Sequence, residues 1–461
     1  MSYSGIGACE GVSHVVPEHP KAFDPRVLSR REFLRRAGVS GVAGVAMPTM
    51  AAILAACSGG AQEEPSGENG TGATGSNVYG TGGVGGAPYP LARLDAPVTW
   101  NIPDDNQPIE SGLKPETGAT LKYLSWPYYI SPSIIRAFEE KYGCTVEKTI
   151  FPDMAGGVAK LRASPDEFDV MFGVQIFVIG QLIAGGLLQP INHDYVPNLA
   201  NNVWPALQSP FYDQESRYSV PWAIWNTGIM WRNDEIDTDI AALDNPYEIF
   251  WNGAPRNKTA LLNNSRDSLG MAMFRRGLTD VNTGDPATID QAKSDIAEVV
   301  AATNARFDHS DYVDVPQGKT WLHQSWSGNV GSAFYFLPAG DTAPNLSYYW
   351  PGSTDGIPGN VDNDTVVLIK GSKNPVLAHL LIDWVLDAQN SVANYTTYSG
   401  YQAPLTTIDP ETLVGNQVVP EHLASTVVTE EQFSAGYRLL ELAPDVSALW
   451  ESAYQEIQAG V

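Results

Sequence analysis

The chain has 461 residues, 43% hydrophobic and 17% charged, which is enough apolar material for two or three domains with their own cores. A formal charge of −25 excludes general nucleic-acid binding, because a phosphate backbone calls for a basic face. The acidity reads as a solubility surface and favours cationic ligands only weakly.

Residues 29–36 read Ser-Arg-Arg-Glu-Phe-Leu-Arg-Arg, and the stretch Ala37–Ala56 that follows is rich in Ala, Gly and Val. Pro48 makes it a weak membrane span. It ends Leu54-Ala55-Ala56-Cys57. Arg30 and Arg31 ahead of an apolar stretch resemble a twin-arginine export signal, and small residues before a cysteine resemble a lipobox. The resemblance implies that residues 1–56 are removed and that Cys57 carries the lipid anchor. The chain would then sit on the outer face of the cytoplasmic membrane, in the periplasm or at the cell surface. Cys9 is lost with the signal, so Cys144 is left alone, no disulfide framework is possible, and Cys144 reads as a small core residue.

From Ser58 to about Gly86 the residues are mostly Gly, Ser, Thr, Ala and Glu. Such a segment buries too little surface to offset its ordering entropy, so residues 57–89 are expected to form a flexible tether. Residues 90–117 are Pro-rich with scattered apolar anchors and are expected to lie extended along the first lobe.

An α/β pattern begins at Thr120. Leu121–Trp126 reads as a strand. Ser131-Pro132 supplies an N-cap and a first-turn proline, Ile134, Ile135, Phe138 and Tyr142 recur at helical spacing, and Gly143 ends the helix. Thr145–Ile150 and Phe168–Phe172 read as strands, and Phe177–Ala184 as a helix. After Tyr218–Trp222 comes the apolar run Ala223–Trp231. Helices are expected at Asp234–Asp239, Ser268–Arg276, Thr288–Asn304 and Pro375–Ala388, and a buried strand at Val366–Ile369. Asp362-Asn363-Asp364 lacks the Gly and terminal Glu of a calcium loop and reads as a turn. The alternation predicts an α/β fold with mostly parallel sheets flanked by helices.

Seven landmarks then appear in order: Leu124–Tyr129 (Leu-Ser-Trp-Pro-Tyr-Tyr), Phe168-Asp169-Val170, Gly185–Ile191, Tyr218–Trp222 (Tyr-Ser-Val-Pro-Trp), Trp326-Ser327-Gly328-Asn329, Tyr349-Trp350-Pro351 and Gly400–Pro404. Over roughly residues 118–456 the chain resembles the polyamine-binding branch of the bacterial periplasmic solute-binding proteins. The resemblance implies a two-lobed binding-protein fold joined by hinge strands, with residues 118–223 and 330–370 in lobe 1 and 224–329 and 371–461 in lobe 2. It implies a monomer that performs no chemistry, needs no cofactor or metal, holds a small amine in the cleft and delivers it to an ABC permease. Trp126, Tyr129 and Trp326 fall where the family puts aromatic walls, Gln402 where it puts a polar contact and Asp267 where it puts an acidic anchor. Asn264 and Asn329 stand where the family has acids, and Tyr128 stands where it can have one. Gly173-Val174-Gln175-Ile176 replaces a loop that tends to carry Ser and Tyr. One carboxylate with carboxamides and aromatics would also suit a monocation, a zwitterion or a neutral solute such as a sugar.

Other chemistries have weaker support. His193, His309, His323 and His379 are far apart and show no ligand spacing. Tyr128-Tyr129 and Tyr348-Tyr349 resemble neighbouring tyrosines of ferric-binding proteins, without an accompanying His and carboxylate set. No G-x-S-x-G, P-loop or dinucleotide turn is present. A secreted carbohydrate-active enzyme is the rival from another class, but no carboxylate pair can be assigned across a scissile bond.

Cys57→Ala is expected to leave the protein exported but unlipidated, so that it fractionates as soluble; tight membrane association of this variant would contradict the lipobox. Replacing Arg30 and Arg31 with Lys is expected to block export, because Lys cannot copy the guanidinium fork.

Overall fold

A computed structural model describes residues 79–338, 345–408, 413–414 and 419–460. Arg30, Arg31, Cys57 and most of the expected tether lie outside them. Among the described residues no helix is long and apolar enough to cross a membrane.

Among the described residues, twelve strands carry the architecture. β1 (Tyr79–Gly80) pairs with β2 (Tyr89–Pro90). The others are β3 (Thr120–Ser125), β4 (Thr145–Ile150), β5 (Val170–Gln175), β6 (Leu188–Gln189), β7 (Ser219–Arg232), β8 (Thr259–Leu262), β9 (Arg306–Asp308), β10 (Leu322–Trp326), β11 (Leu346–Tyr349) and β12 (Val361–Ile369). The ladder runs β4-β3-β5-β12-β7-β10-β8-β9, with β6 beside β12 and β11 beside β7. The outer strands of each half are parallel, as βαβ crossovers require.

The long strand β7 joins the halves. Its residues 219–226 pair with β12, and residues 227–232 pair with β10 and β11. Every residue of β7 and β12 is buried, so these two antiparallel strands form the hinge between a first and a second lobe.

Several elements follow directly from local sequence chemistry. Ser131 accepts a hydrogen bond from Ser133 N, Pro132 opens the helix Pro132–Tyr142, and Gly143 ends it at φ 64°. Ile134, Ile135 and Phe138 are its buried stripe. The helices Ile176–Ala184, Ser265–Arg275 and Pro286–Thr303 also form, within a few residues of expectation.

Other elements differ from expectation. Asp234–Asp239 is not helical; Arg232 reaches forward to Asp234 with Nε at 2.8 Å, and so short a polar stretch has no stripe to bury. Asp362-Asn363-Asp364 is not a turn but the buried start of β12. Strand is possible there because the polar side chains find partners. Asp362 accepts from Leu439 N, Asn363 donates to the Tyr212 hydroxyl, and Asp364 accepts from Tyr129 and Trp225. The chain also changes lobe at other points than expected. β11 extends the second half of the sheet, and the helix Pro375–Val385 packs on β12 and on Pro132–Tyr142 in the first. Apolar content alone does not say which sheet a helix covers.

The expected tether stops short of residue 89, because β1 and β2 already pair and Tyr89 is buried. From there to residue 117 the chain forms a strap on the first lobe. Trp100 Nε1 donates to Tyr212 O at 2.8 Å, Asn106 Nδ2 to Leu188 O at 2.9 Å, and Tyr218 Oη to Asn101 O at 2.7 Å. Tyr89 Oη donates to Glu441 Oε1 at 2.5 Å, and Arg93 Nη2 donates to Glu441 O at 3.0 Å. The strap thereby holds the segment that leads into the last helix, Pro444–Ala459.

Burial lifts the Glu441 carboxyl to about 7, against the smaller pull of the Tyr89 hydrogen bond and of Arg93 and Arg162. A carboxyl whose folded pKa is raised stabilises the fold fully below its unfolded value, and that contribution is lost as pH rises through about 7. Glu441→Gln keeps an acceptor for Tyr89 and removes the ionisation. It is expected to match the parent at pH 4.5 and to exceed it at pH 8 by on the order of 1–3 kcal/mol in denaturant unfolding.

Candidate functional site

The site forms where the hinge strands meet the C-terminal ends of β3 and β10. β3 delivers Trp126 and, after the turn at Tyr128 (φ 56°), Tyr129. β10 ends in Trp326, which opens the helix Ser327–Ala333. The two indoles meet from opposite lobes, with ring centroids 6.2 Å apart at 72°. Trp225 of β7 lies 5.8 Å from Trp326, and Phe151 lies 4.8 Å from Trp126. Tyr401 packs on Tyr129 at 5.2 Å. Beside them Tyr128 touches Tyr312, Phe336 and Tyr398 in a second aromatic cluster that spans the lobes.

Gly173 explains why the Trp126 indole can lie where it does. Its φ is +81°, and a Cβ there would collide with the Trp126 indole. Trp126 Nε1 donates to Gly173 O at 2.8 Å. The glycine thus supplies both the backbone conformation and the space for the aromatic wall.

Three buried carboxylates surround the aromatics. Asp267, 4% exposed, lies in the first turn of the helix Ser265–Arg275. Its Oδ1 accepts from Thr227 Oγ1 at 2.7 Å, while Oδ2 makes no hydrogen bond among the described residues. Burial raises its pKa to about 6, although the neighbouring Thr227, Trp326, Arg266 and Asn360 favour the ionised form. Asp364 accepts from the Tyr129 hydroxyl and, at 3.1 Å, from Trp225 Nε1; burial likewise raises it to about 6. Asp311, fully buried, accepts from Ser325 Oγ and from Asn329 Nδ2 at 2.9 and 3.0 Å.

The site residues expected from sequence fall into two groups. Trp126, Tyr129, Trp326 and Asp267 come together at the junction of the lobes. Asn264, Asn329 and Gln402 have their carboxamides engaged elsewhere. Asn264 Oδ1 caps the helix by accepting from Arg266 N and Asp267 N. Gln402 is fixed to Val428, donating to its carbonyl and accepting from its amide at 2.9 Å each way. Asn329 links Asp311 to the Tyr401 hydroxyl, from which its Oδ1 accepts at 2.8 Å. The neutral residue at position 329 therefore stands next to an acid supplied from residue 311.

Asp311, Asp364, Trp225 and Tyr401 were not singled out from sequence. Asp364 carried a signal, since an Asp next to the apolar run Val366–Ile369 in a strand needs a buried partner. Asp311 carried none, because it reaches Asn329 only through the tertiary fold.

Residues 118–391, over half of the chain, match the family described as bacterial extracellular solute-binding protein. A putrescine/cadaverine-binding protein of Pseudomonas aeruginosa is 27% identical over 292 residues, covering 61% of this chain and 79% of that protein. Among solved structures, a spermidine/putrescine ABC transporter substrate-binding protein from Streptococcus pneumoniae aligns with a TM-score of 0.60 at 18% identity, over 74% of this chain and 99% of that one. A lipoprotein of Treponema pallidum aligns with a TM-score of 0.59 at 17% identity, over 73% and 99%. At these identities the structures show a shared fold, here a mixed sheet whose outer strands are parallel and whose hinge strands are antiparallel.

Gly173→Ala is expected to lower stability by about 1–3 kcal/mol, from the positive φ and the displaced indole, and to change near-ultraviolet circular dichroism as Trp126 moves. A variant with parent stability and an unchanged aromatic spectrum would contradict this packing.

Proposed function

This chain belongs to the bacterial extracellular solute-binding proteins, and from that premise we propose that its solute is a linear diamine, held between the lobes and handed to an ABC permease. The observation that carries this reading is the chemistry of the junction. Asp267, Asp311 and Asp364 are buried around an aromatic surface of Trp126, Trp225, Trp326 and Tyr401. Buried carboxylates are stabilised by a cation, and indole faces hold an aliphatic chain while attracting ammonium ends, at about 0.5–2 kcal/mol per contact. The buried cation next to Asp267 in the chain, Arg266, makes its guanidinium hydrogen bonds elsewhere: Nη1 donates to Leu440 O and Nη2 to Val281 O at 3.0 Å, and the guanidinium lies over Trp450.

Asp267 and Asp364 are the acids we assign to the two ammonium ends. Asp267 has a buried oxygen without a hydrogen bond, and Asp364 lies on the hinge strand against the Tyr129 wall. Ligand that contacts residues of both lobes and of the hinge favours the closed arrangement, and that differential affinity drives closure. The committed carboxamides of Asn264, Asn329 and Gln402 leave fewer anchors for a longer triamine, so spermidine is read as the weaker ligand. The match to a putrescine/cadaverine-binding protein supports the same choice. Attachment through a lipid on Cys57, export through Arg30 and Arg31, action as a monomer and the absence of turnover complete the proposal.

Calorimetry with putrescine, cadaverine and spermidine tests it. The diamines are expected to bind more tightly than spermidine. Asp364→Asn or Asp267→Asn is expected to cost about 3–5 kcal/mol, a hundredfold or more in Kd, since it leaves a buried cation without its carboxylate. No diamine binding by the parent protein, or full affinity in both variants, would overturn the reading.

A further inference from the structure

We propose that His309 is a ligand-contacting residue, whose neutral imidazole accepts a hydrogen bond at Nδ1 from an ammonium of the bound amine. The inference rests on the diamine reading above and adds to it a neutral acceptor.

The imidazole lies flat against the indole of Trp326, with ring centroids 5.2 Å apart and planes 18° from parallel. It is therefore part of the aromatic wall. Its Nδ1 is buried and has no hydrogen-bond partner among the described residues. His309 as a whole is half-buried, and the two fully buried histidines differ from it. His323 places Nδ1 against Gln324 O and Nε2 3.2 Å from Asp308 Oδ1. His379 places Nδ1 2.6 Å from Pro375 O, and its Nε2 accepts from Asn192 N at 3.0 Å. A buried ring nitrogen without a partner loses the hydrogen bond it makes in water, so a ligand N–H that reaches it restores what folding removed.

The charged groups that act on His309 come from each side. Asp308 at the end of β9 and Asp311 at the start of the helix Asp311–Asp314 flank it in the chain, His323 lies on β10, and Asp153 acts from the first lobe, where it caps the helix Met154–Ala163. Despite these three carboxylates, burial holds the imidazole below its ordinary value of 6.5. At neutral pH the ring is uncharged and Nδ1 can accept. Once protonated it donates instead and repels an ammonium. Amine affinity is therefore full above the imidazole pKa and falls as pH drops through it, by at most about tenfold per pH unit for one proton. Asp267 and Asp364 also lose charge in acid, so the part due to His309 must be isolated by substitution.

The test is putrescine calorimetry from pH 8 to pH 5 on the parent protein, His309→Phe and His309→Gln. Phe keeps a ring on Trp326 and removes the nitrogen. Both variants are expected to lose about tenfold or more in affinity at pH 8, and their log Kd should change with pH by up to one unit less per pH unit than the parent's. As a second readout, the His309 Cε1–H resonance should titrate at lower pH when putrescine is saturating. Parent-like affinity and pH profile in His309→Phe would overturn the role. So would weaker binding with an unchanged pH slope and an unmoved His309 titration, which is the result of a purely structural ring. Failure of the parent protein to bind putrescine at any pH would remove the diamine reading and this inference with it.

Discussion

Asp364 is the point on which the hinge and the site both depend. It lies within a strand buried along its whole length, where an unpaired carboxylate would be very costly. The Tyr129 hydroxyl from the first lobe and the Trp225 indole from β7 supply its partners. One side chain thus fixes an aromatic wall, ties it to the hinge, and leaves a buried acid beside the surface where the lobes meet. Removing its charge would relieve the burial penalty but would also remove what makes the junction favourable to a cation.

The surrounding polar groups obey the same constraint. Asp362 takes Leu439 N, Asn363 takes the Tyr212 hydroxyl, and Asp213 collects the amides of Tyr218 and Ser219 together with the Ser219 hydroxyl. These bonds bring Tyr212, the C-terminal segment and the entry to β7 against one hinge. A strand of such polarity is stable inside a protein only when each group is satisfied. Among the described residues some buried polar atoms make no hydrogen bond; Asp267 Oδ2, Trp326 Nε1 and His309 Nδ1 are those at the aromatic junction, while Asp213 Oδ1 is one away from it.

The two asparagines expected as ligand contacts are engaged within the protein instead. Asn264 caps a helix, and Asn329 joins Asp311 to the Tyr401 hydroxyl. The carboxylate beside Asn329 belongs to Asp311, 18 positions away in the chain.

The sequence by itself determined the elements whose signals are local. The Ser131-Pro132 cap, the Gly143 stop and the strand Thr145–Ile150 were legible, because capping, left-handed glycine and apolar spacing act over a few residues; Trp126, Tyr129 and Trp326 were proposed only through the resemblance to a family. Only the tertiary structure decided that Asp362–Asp364 is strand, that the helix Pro375–Val385 covers the first half of the sheet, and that Asp311 and His309 join the site. Each of these depends on a partner distant in the chain: Tyr129 and Leu439 for the strand, the helix Pro132–Tyr142 for the packing, Asn329 and Trp326 for the two site residues. A polar side chain in a chain yet to fold carries no mark of whether its partner will be water or another residue, and that choice is made only when the lobes assemble.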